Sequence, residues 1–170
     1  MDVHEAIRTR YAVRDFRPDS LPDETILRIL EAGRLAPSQR NRQQWHFVVV
    51  QDRETLKKIG ELASSGRYIA QAPMAVAVVM QGSKMPKIDA ARAVQNMILA
   101  AWAEGVGTCW VGGLDRAQVK DLLNLPEDAE LITILPFGYP ARRSLKGKKD
   151  RKPLAEVAHR ESFGNPYTTP

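Results

Sequence analysis

The chain has 170 residues, the size of one domain, and 44% of them are hydrophobic, enough to bury a core without disulfides or metal. Twenty-five Lys and Arg against 20 Asp and Glu leave a net charge of +5, and the one cysteine, Cys109, excludes an internal disulfide framework and fits a reducing compartment. The longest uncharged apolar run, residues 72–80, is far too short to span a bilayer, and the first residues hold acids in place of an apolar leader, so a cytoplasmic protein without a membrane partner is expected.

Residues 2–9 carry a short helical pattern that runs into "RTRYAVRDF" (8–16) and a turn at "PDSLP" (18–22). A helix follows, with Pro22 in its first turn, Asp23 and Glu24 at the favourable end of its dipole, and an apolar face of Ile26, Leu27, Ile29, Leu30 and Leu35; Pro37 stops it. After the loop "PSQRNRQQ" (37–44), the β-branched and aromatic run "WHFVVVQ" (45–51) reads as a buried strand, "DRETLKKIGELA" (52–63) as a surface helix, and "MAVAVVM" (74–80) as a second buried strand. In "KIDAARAVQNMILAAWAEG" (87–105), Ala91, Val94, Ile98 and Trp102 make one apolar stripe and Ala90, Ala93, Met97 and Ala101 another nearly opposite. A helix apolar on two sides is either central to the core or shared with a second subunit, so a homodimer is expected. Beyond Gly105 and Gly107 come a strand at "TCWVGG" (108–113), a helix at 116–125 and a strand at 131–138. Residues 142–160 then hold eight Lys and Arg against Asp150 and Glu156, more net positive charge than the whole chain. The whole length reads as one domain, 1–170, with residues 165–170 a flexible or partner-wrapping tail.

No phosphate loop, G-x-S-x-G elbow or H-E-x-x-H stretch is present, and "GVGTCW" follows a helix and lacks the third glycine of a dinucleotide fingerprint. His4, His46 and His159 are scattered without carboxylates or cysteine at ligand spacing, so no metal is expected, and Cys109 lies in an apolar strand pattern where a thiol is inert. The chain therefore binds something or borrows its chemistry from a cofactor. Polar and positive side chains gather at four places: Arg8, Arg10 and Arg14; the acid-free loop Ser38, Gln39, Arg40, Asn41, Arg42, Gln43 and Gln44; the pair Gly112 and Gly113; and Lys148, Lys149, Arg151 and Lys152. Guanidinium groups beside Asn, Gln and Ser suit a phosphate joined to a planar ring with polar edges, and paired glycines let backbone N–H groups approach a ligand. Each alone is an ordinary solvated face or turn.

In this order along the chain, "RTRYAVRDF", "APSQRNRQQWHFVVV", "AARAVQNMILAAWAEGVGTCWVGG" and "KDRKPLAEV" resemble the nitroreductase family of flavin-dependent oxidoreductases. The resemblance implies an α+β fold, a mixed and largely antiparallel sheet flanked by helices, in an intertwined homodimer with FMN at the subunit interface. It places Arg10, Tyr11, Ala12 and Arg14 on the N-terminal FMN contacts, Pro37, Ser38, Gln39 and Asn41 on the segment reaching the flavin from the partner subunit, and Arg67 beside the ring. Gly112 and Gly113 fall where a backbone N–H faces flavin N5, with no side chain catalytic, and Lys149 and Arg151 close on the phosphate. NADH or NADPH is the implied electron donor, in a ping-pong reaction with nitroaromatic, quinone or similar planar small-molecule acceptors. Tyr11 and Ala12 stand where the family has a basic residue and Ser, and only about ten residues separate Met80 from the long helix, too few for the helices that roof the flavin in longer relatives. The alternatives are a flavin-binding protein without turnover, a different flavin reaction on the same scaffold, or a basic nucleic-acid-binding module. The last is disfavoured because the few aromatics sit in apolar patterns, so no nucleic-acid partner is expected.

Overall fold

Residues 74–81 alternate between two sets of side chains, and that alternation places the rest of the chain. In strand β2 (Met74–Gln81), Met74, Val76, Val78 and Met80 join one core cluster while Ala75, Ala77 and Val79 join a second, all at most 2% exposed. The computed structural model describes residues 1–142 and 149–167. Within them β2 pairs with β1 (Trp45–Val50) and β4 (Ala129–Gly138), and β3 (Gly107–Thr108) lies beyond β4, in the order β1-β2-β4-β3 with every pair antiparallel. Trp45 sits opposite Met80, and Ala77 opposite Ile134. A single parallel bridge, Ala12 with Thr108, adds the N-terminal segment to the β3 edge and makes the sheet mixed.

Helices α2 (Asp23–Arg34) and α4 (Pro86–Ala103) cover the Met74 face through Ile26, Ile29, Ala90, Ala93, Val94 and Met97. The opposite face is covered by α3 (Arg53–Glu61), the 3₁₀ turn Arg67–Gln71 and α5 (Arg116–Leu122), which contribute Leu56, Ile59, Ile69 and Val119. Full burial of each such side chain is worth roughly 1.5–3 kcal/mol. Helix α1 (Val3–Thr9) rests on α4, and a short α6 (Leu154–Val157) lies near the C-terminus. Asp2, Asp52 and Asp115 cap α1, α3 and α5 by accepting the amide hydrogens of Glu5, Thr55 and Gln118. No helix among the described residues is long and apolar enough to cross a membrane.

Three expectations are corrected. Leu27 and Leu35 are 65% and 63% exposed, because Leu27 is turned about 100° from Ile26 and Leu35 lies at the cap, past the last turn. Strand β1 is half-buried, with His46 exposed, since it forms the sheet's edge among the described residues. Residues 108–113 are not one strand: the β4 pairing stops after Thr108 and returns only as a bridge from Val111 to Ile134. Ile134 turns its carbonyl to the Val111 amide at 3.2 Å, and two residues on Pro136 offers that side a nitrogen without hydrogen, so the ladder lapses opposite Cys109.

Residues 10–17 complete this edge. The Val13 amide donates to Thr108 O at 3.0 Å, the Arg17 amide to Tyr139 O at 2.8 Å, and Trp102 Nε1 donates to Thr9 Oγ1 at 2.8 Å with the Tyr11 ring edge-on to the indole. The segment lies so close that a Cβ on Gly107 would come within 2.3 Å of Val13 Cγ2, whereas Gly105, at φ +79°, has nothing within 4 Å of its Cβ position. Gly107→Ala is therefore expected to destabilise the protein by about 1–3 kcal/mol in urea titration, through displacement of the segment. Gly105→Asn, which keeps a residue tolerant of the left-handed region, is expected to cost less than about 1 kcal/mol.

Candidate functional site

The outer stripe of α4 and the docked N-terminal segment enclose a groove of about 450 Å³. Ala91, Val94, Gln95 and Ile98 form its helical wall, Arg10, Ala12 and Arg14 the opposite wall, and Thr108, Cys109 and Trp110 the β3 end, where the interrupted ladder exposes Trp110. The volume is that of a small-molecule or cofactor site. Between β2 and α4 the chain spends only residues 82–85, so no inserted helix roofs the groove there. The Thr108 hydroxyl is buried and has no hydrogen-bond partner among the described residues, an uncommon condition in a core and one that a ligand's polar edge would relieve. Burial pushes the Tyr68 hydroxyl up to about 12, reinforced by Cys109 and opposed by Arg14, so Tyr68 stays protonated beside the Arg14 guanidinium at neutral pH.

At the same wall the two ends of the sequence meet. Tyr11 Oη donates to Arg142 O at 3.2 Å, the Arg142 Nε lies 3.7 Å from Asp15 Oδ2, and Lys149 Nζ donates to Ile7 O at the end of α1. Burial, with Arg10 and Arg151 close by, lowers the pKa of Lys149 below the usual lysine range. Among the described residues no carboxylate pairs with Arg10, Arg14, Lys149 or Arg151. Three cations crowded without an acid repel one another, and a phosphate would relieve all three. Lys148 lies outside the described residues.

The loop after α2 is a separate structure. Pro37 and Asn41 are exposed, Ser38 and Gln39 half-buried, and Arg40, Asn41 and Gln43 all take positive φ, at 51°, 55° and 53°. For non-glycine residues such as Arg40 and Gln43 this conformation costs about 1–2 kcal/mol each, and Gln43 Nε2 donates to Asn41 O at 3.3 Å within the loop. The loop is held by Ser38 Oγ, which accepts the Gln43 amide at 2.9 Å, and by the buried Asp89 carboxylate, which accepts the Gln39 amide at 3.1 and 3.2 Å. Asp89 is in the first turn of α4, so this loop and the groove mark successive parts of one helix.

The structure thus gathers Arg10, Ala12 and Arg14 along one wall of the groove, sets Lys149 close to Arg10 and Arg151, packs Tyr11 against Trp102, and keeps Pro37, Ser38, Gln39 and Asn41 together near the start of α4. Gly112 and Gly113 follow Trp110 past the groove's end; Gly112 O accepts from Arg116, and a Cβ on Gly113 would come within 2.7 Å of both Ser64 Oγ and Ser65 Oγ. Arg67 stands elsewhere, in a second groove of about 460 Å³ with Lys57, Gly60, Glu61 and Ala70. Sequence reasoning overlooked Asp89, Thr108 and Tyr68. The only signal for Asp89 was an acid next to the buried stripe of α4, facing a loop with none. No group of three or more His, Cys, Asp and Glu that could hold a metal is found among the described residues.

Comparison with known proteins gives the family. The sequence signature of the nitroreductase family matches residues 7–85 and 69–139. A protein of Methanothermobacter thermautotrophicus, provisionally named NADH dehydrogenase/NAD(P)H nitroreductase, is 38% identical over 150 residues, 83% of this chain and 78% of its own. An FMN reductase [NAD(P)H] of Bacillus subtilis is 29% identical over 96% of this chain and 75% of its own. The solved structure of the hypothetical oxidoreductase YcnD from Bacillus subtilis superposes with a TM-score of 0.88 at 28% identity, covering 97% of this chain and 76% of that one.

The cation cluster has a measurable sign. The folded chain releases the Lys149 proton more readily than the unfolded chain, so between the lowered value and the usual lysine pKa stability rises with pH. An anion held by the three cations raises the Lys149 pKa again and flattens that rise. Inorganic phosphate is accordingly expected to raise the melting temperature more than chloride does at equal ionic strength, and Lys149→Gln, which keeps a donor for Ile7 O, to lose most of this increment in thermal scans.

Proposed function

Because the chain belongs to the nitroreductase family, we propose that it is an FMN-dependent oxidoreductase supplied by NADH or NADPH, with the FMN phosphate seated on Arg10, Lys149 and Arg151. The observation that carries this reading is the crowding of Lys149 with Arg10 and Arg151, with no carboxylate paired to them among the described residues and with Arg10 itself lining the groove. The remaining residues fit the same group. Arg14 supplies fixed positive charge to a ring that becomes anionic on reduction, held beside the Tyr68 hydroxyl. Tyr11 and Ala12 contribute backbone groups and a shallow surface where a hydroxyl side chain is missing, and Thr108 offers an unengaged hydroxyl. Gly112 and Gly113 supply the backbone donor toward the ring. Bound FMN would provide the redox chemistry, taking hydride at N5 from the nicotinamide and passing electrons to a planar acceptor such as a nitroaromatic or quinone in ping-pong fashion. The chain's own work is to position the ring, donate a hydrogen bond and supply field, which is why the sequence needs no nucleophile or acid–base pair.

The reading includes a homodimer in which Pro37, Ser38, Gln39 and Asn41 reach the flavin of the partner. Exposed apolar residues support it: Val3 and Ile7 on α1, Met85 and Ile88 at the start of α4, Trp110 in the groove, and Leu154, Val157 and Phe163 near the C-terminus, where Phe163 is 95% exposed. Sedimentation is expected to show a species of twice the 19.0 kDa chain mass.

Purified protein is expected to show flavin absorption that bleaches when NADH or NADPH is added anaerobically. Arg10→Ala and Arg151→Ala are each expected to weaken FMN binding about tenfold or more by removing a charge-assisted phosphate contact. Arg14→Glu is expected to weaken FMN retention and lower the flavin potential. A colourless protein that takes up no added FMN would overturn the reading.

A further inference from the structure

The loop at 37–44 poses a question that the cofactor assignment leaves open: what keeps an exposed segment in a conformation that three of its non-glycine residues disfavour? Its internal hydrogen bonds, from the Asn41 amide to Ser38 O at 3.0 Å and from the Gln43 amide to Ser38 Oγ at 2.9 Å, tie the loop to itself but not to the body. No residue of the loop is acidic. The tie to the body near its start is made by Asp89, whose side chain is 2% exposed. Both of its oxygens face the Gln39 amide, at 3.1 and 3.2 Å, and its other contact is Arg92 Nη1 at 3.4 Å, one turn along the same helix. A carboxylate so deeply buried, with one long ion pair and one loop amide as partners, is costly to keep unless the position it enforces matters. Gln44 anchors the far end, its carbonyl accepting the Gln81 amide at 3.0 Å.

We infer that Asp89 is a positioning residue: its carboxylate locks the left-handed turn at residues 39–43 so that Ser38, Gln39 and Asn41 are presented in one fixed arrangement to the flavin bound on a second copy of the chain. This rests on the flavin reading of the preceding subsection. The lock itself is a property of the protein without cofactor.

Arg40 and Arg42 are exposed, so trypsin reports directly on loop opening. In cofactor-free protein, Asp89→Ala is expected to be cut after Arg40 or Arg42 about tenfold faster than wild type, the loss of a hydrogen bond to a charged acceptor. Asp89→Asn, which keeps a neutral and weaker acceptor, falls between them. FMN affinity falls from wild type through Asp89→Asn to Asp89→Ala, and the faster cleavage is confined to Arg40 and Arg42, a pattern that general destabilisation does not produce. Should the alanine variant fail to fold, the asparagine variant decides alone: faster cleavage than wild type sustains the lock, and equal cleavage overturns it. Wild-type cleavage and FMN affinity in a folded Asp89→Ala also overturn it. If the wild-type protein binds no FMN, the flavin reading fails, and the cleavage rates still judge the lock.

Discussion

Helix α4 has to satisfy the sheet, the groove and the loop at once, and the rest of the structure hangs on that constraint. Its inner stripe of Ala90, Ala93, Met97 and Ala101 is fully buried, and the small residues there let α2 approach so closely that a Cβ on Gly33 would lie 2.9 Å from Met97 Cγ. Its outer stripe forms the groove wall, its C-terminal turn holds the N-terminal segment through Trp102, and its first turn holds the 37–44 loop through Asp89. Close packing on the inside therefore fixes the spacing of functional groups on the outside. A rigid body nearly 30 Å long, by helical rise, carries parts that a loop-built site would have to align one by one.

The cation cluster shows the opposite economy. Arg10, Lys149 and Arg151 repel one another when no anion lies among them, and burial first, with Arg10 and Arg151 adding to it, weakens the hold of Lys149 on its proton. Such local frustration is the usual cost of preorganisation: groups held apart by packing cannot relax when the ligand leaves, so they lose little on binding it. The orphaned Thr108 hydroxyl and the left-handed loop residues are further instances of the same arrangement, all of them near one helix.

Much of this was legible in the residues. The all-apolar alternation of 74–80 gave a central strand covered on two faces, the two stripes of α4 gave a helix apolar inside and out, and of the Lys and Arg at both ends of the chain Arg10, Lys149 and Arg151 lie close together in the fold. The sequence was silent where pairing or three-dimensional register decides. Nothing in "WHFVVV" says that β1 is an edge, because burial of a strand depends on a neighbour. The lapse of the β3 ladder is caused by Pro136, some 27 residues away, on the strand opposite. Leu27 and Leu35 fit a loose apolar face but not the narrow one that α2 buries. Asp89 was invisible for a further reason: an acid in a first helical turn has a sufficient local explanation in the helix dipole, which hides the tertiary one.

The Ala12–Thr108 and Phe16–Pro140 bridges join positions about a hundred residues apart. During synthesis the N-terminal segment leaves the ribosome early and waits for its partners, roughly 5–20 s at common translation rates. Meanwhile β1 and β2, close in sequence, are free to pair, and α3 to dock on the turn that follows it. The scaffold thus has a head start over the groove wall, whose cations converge only after Lys149 and Arg151 have emerged.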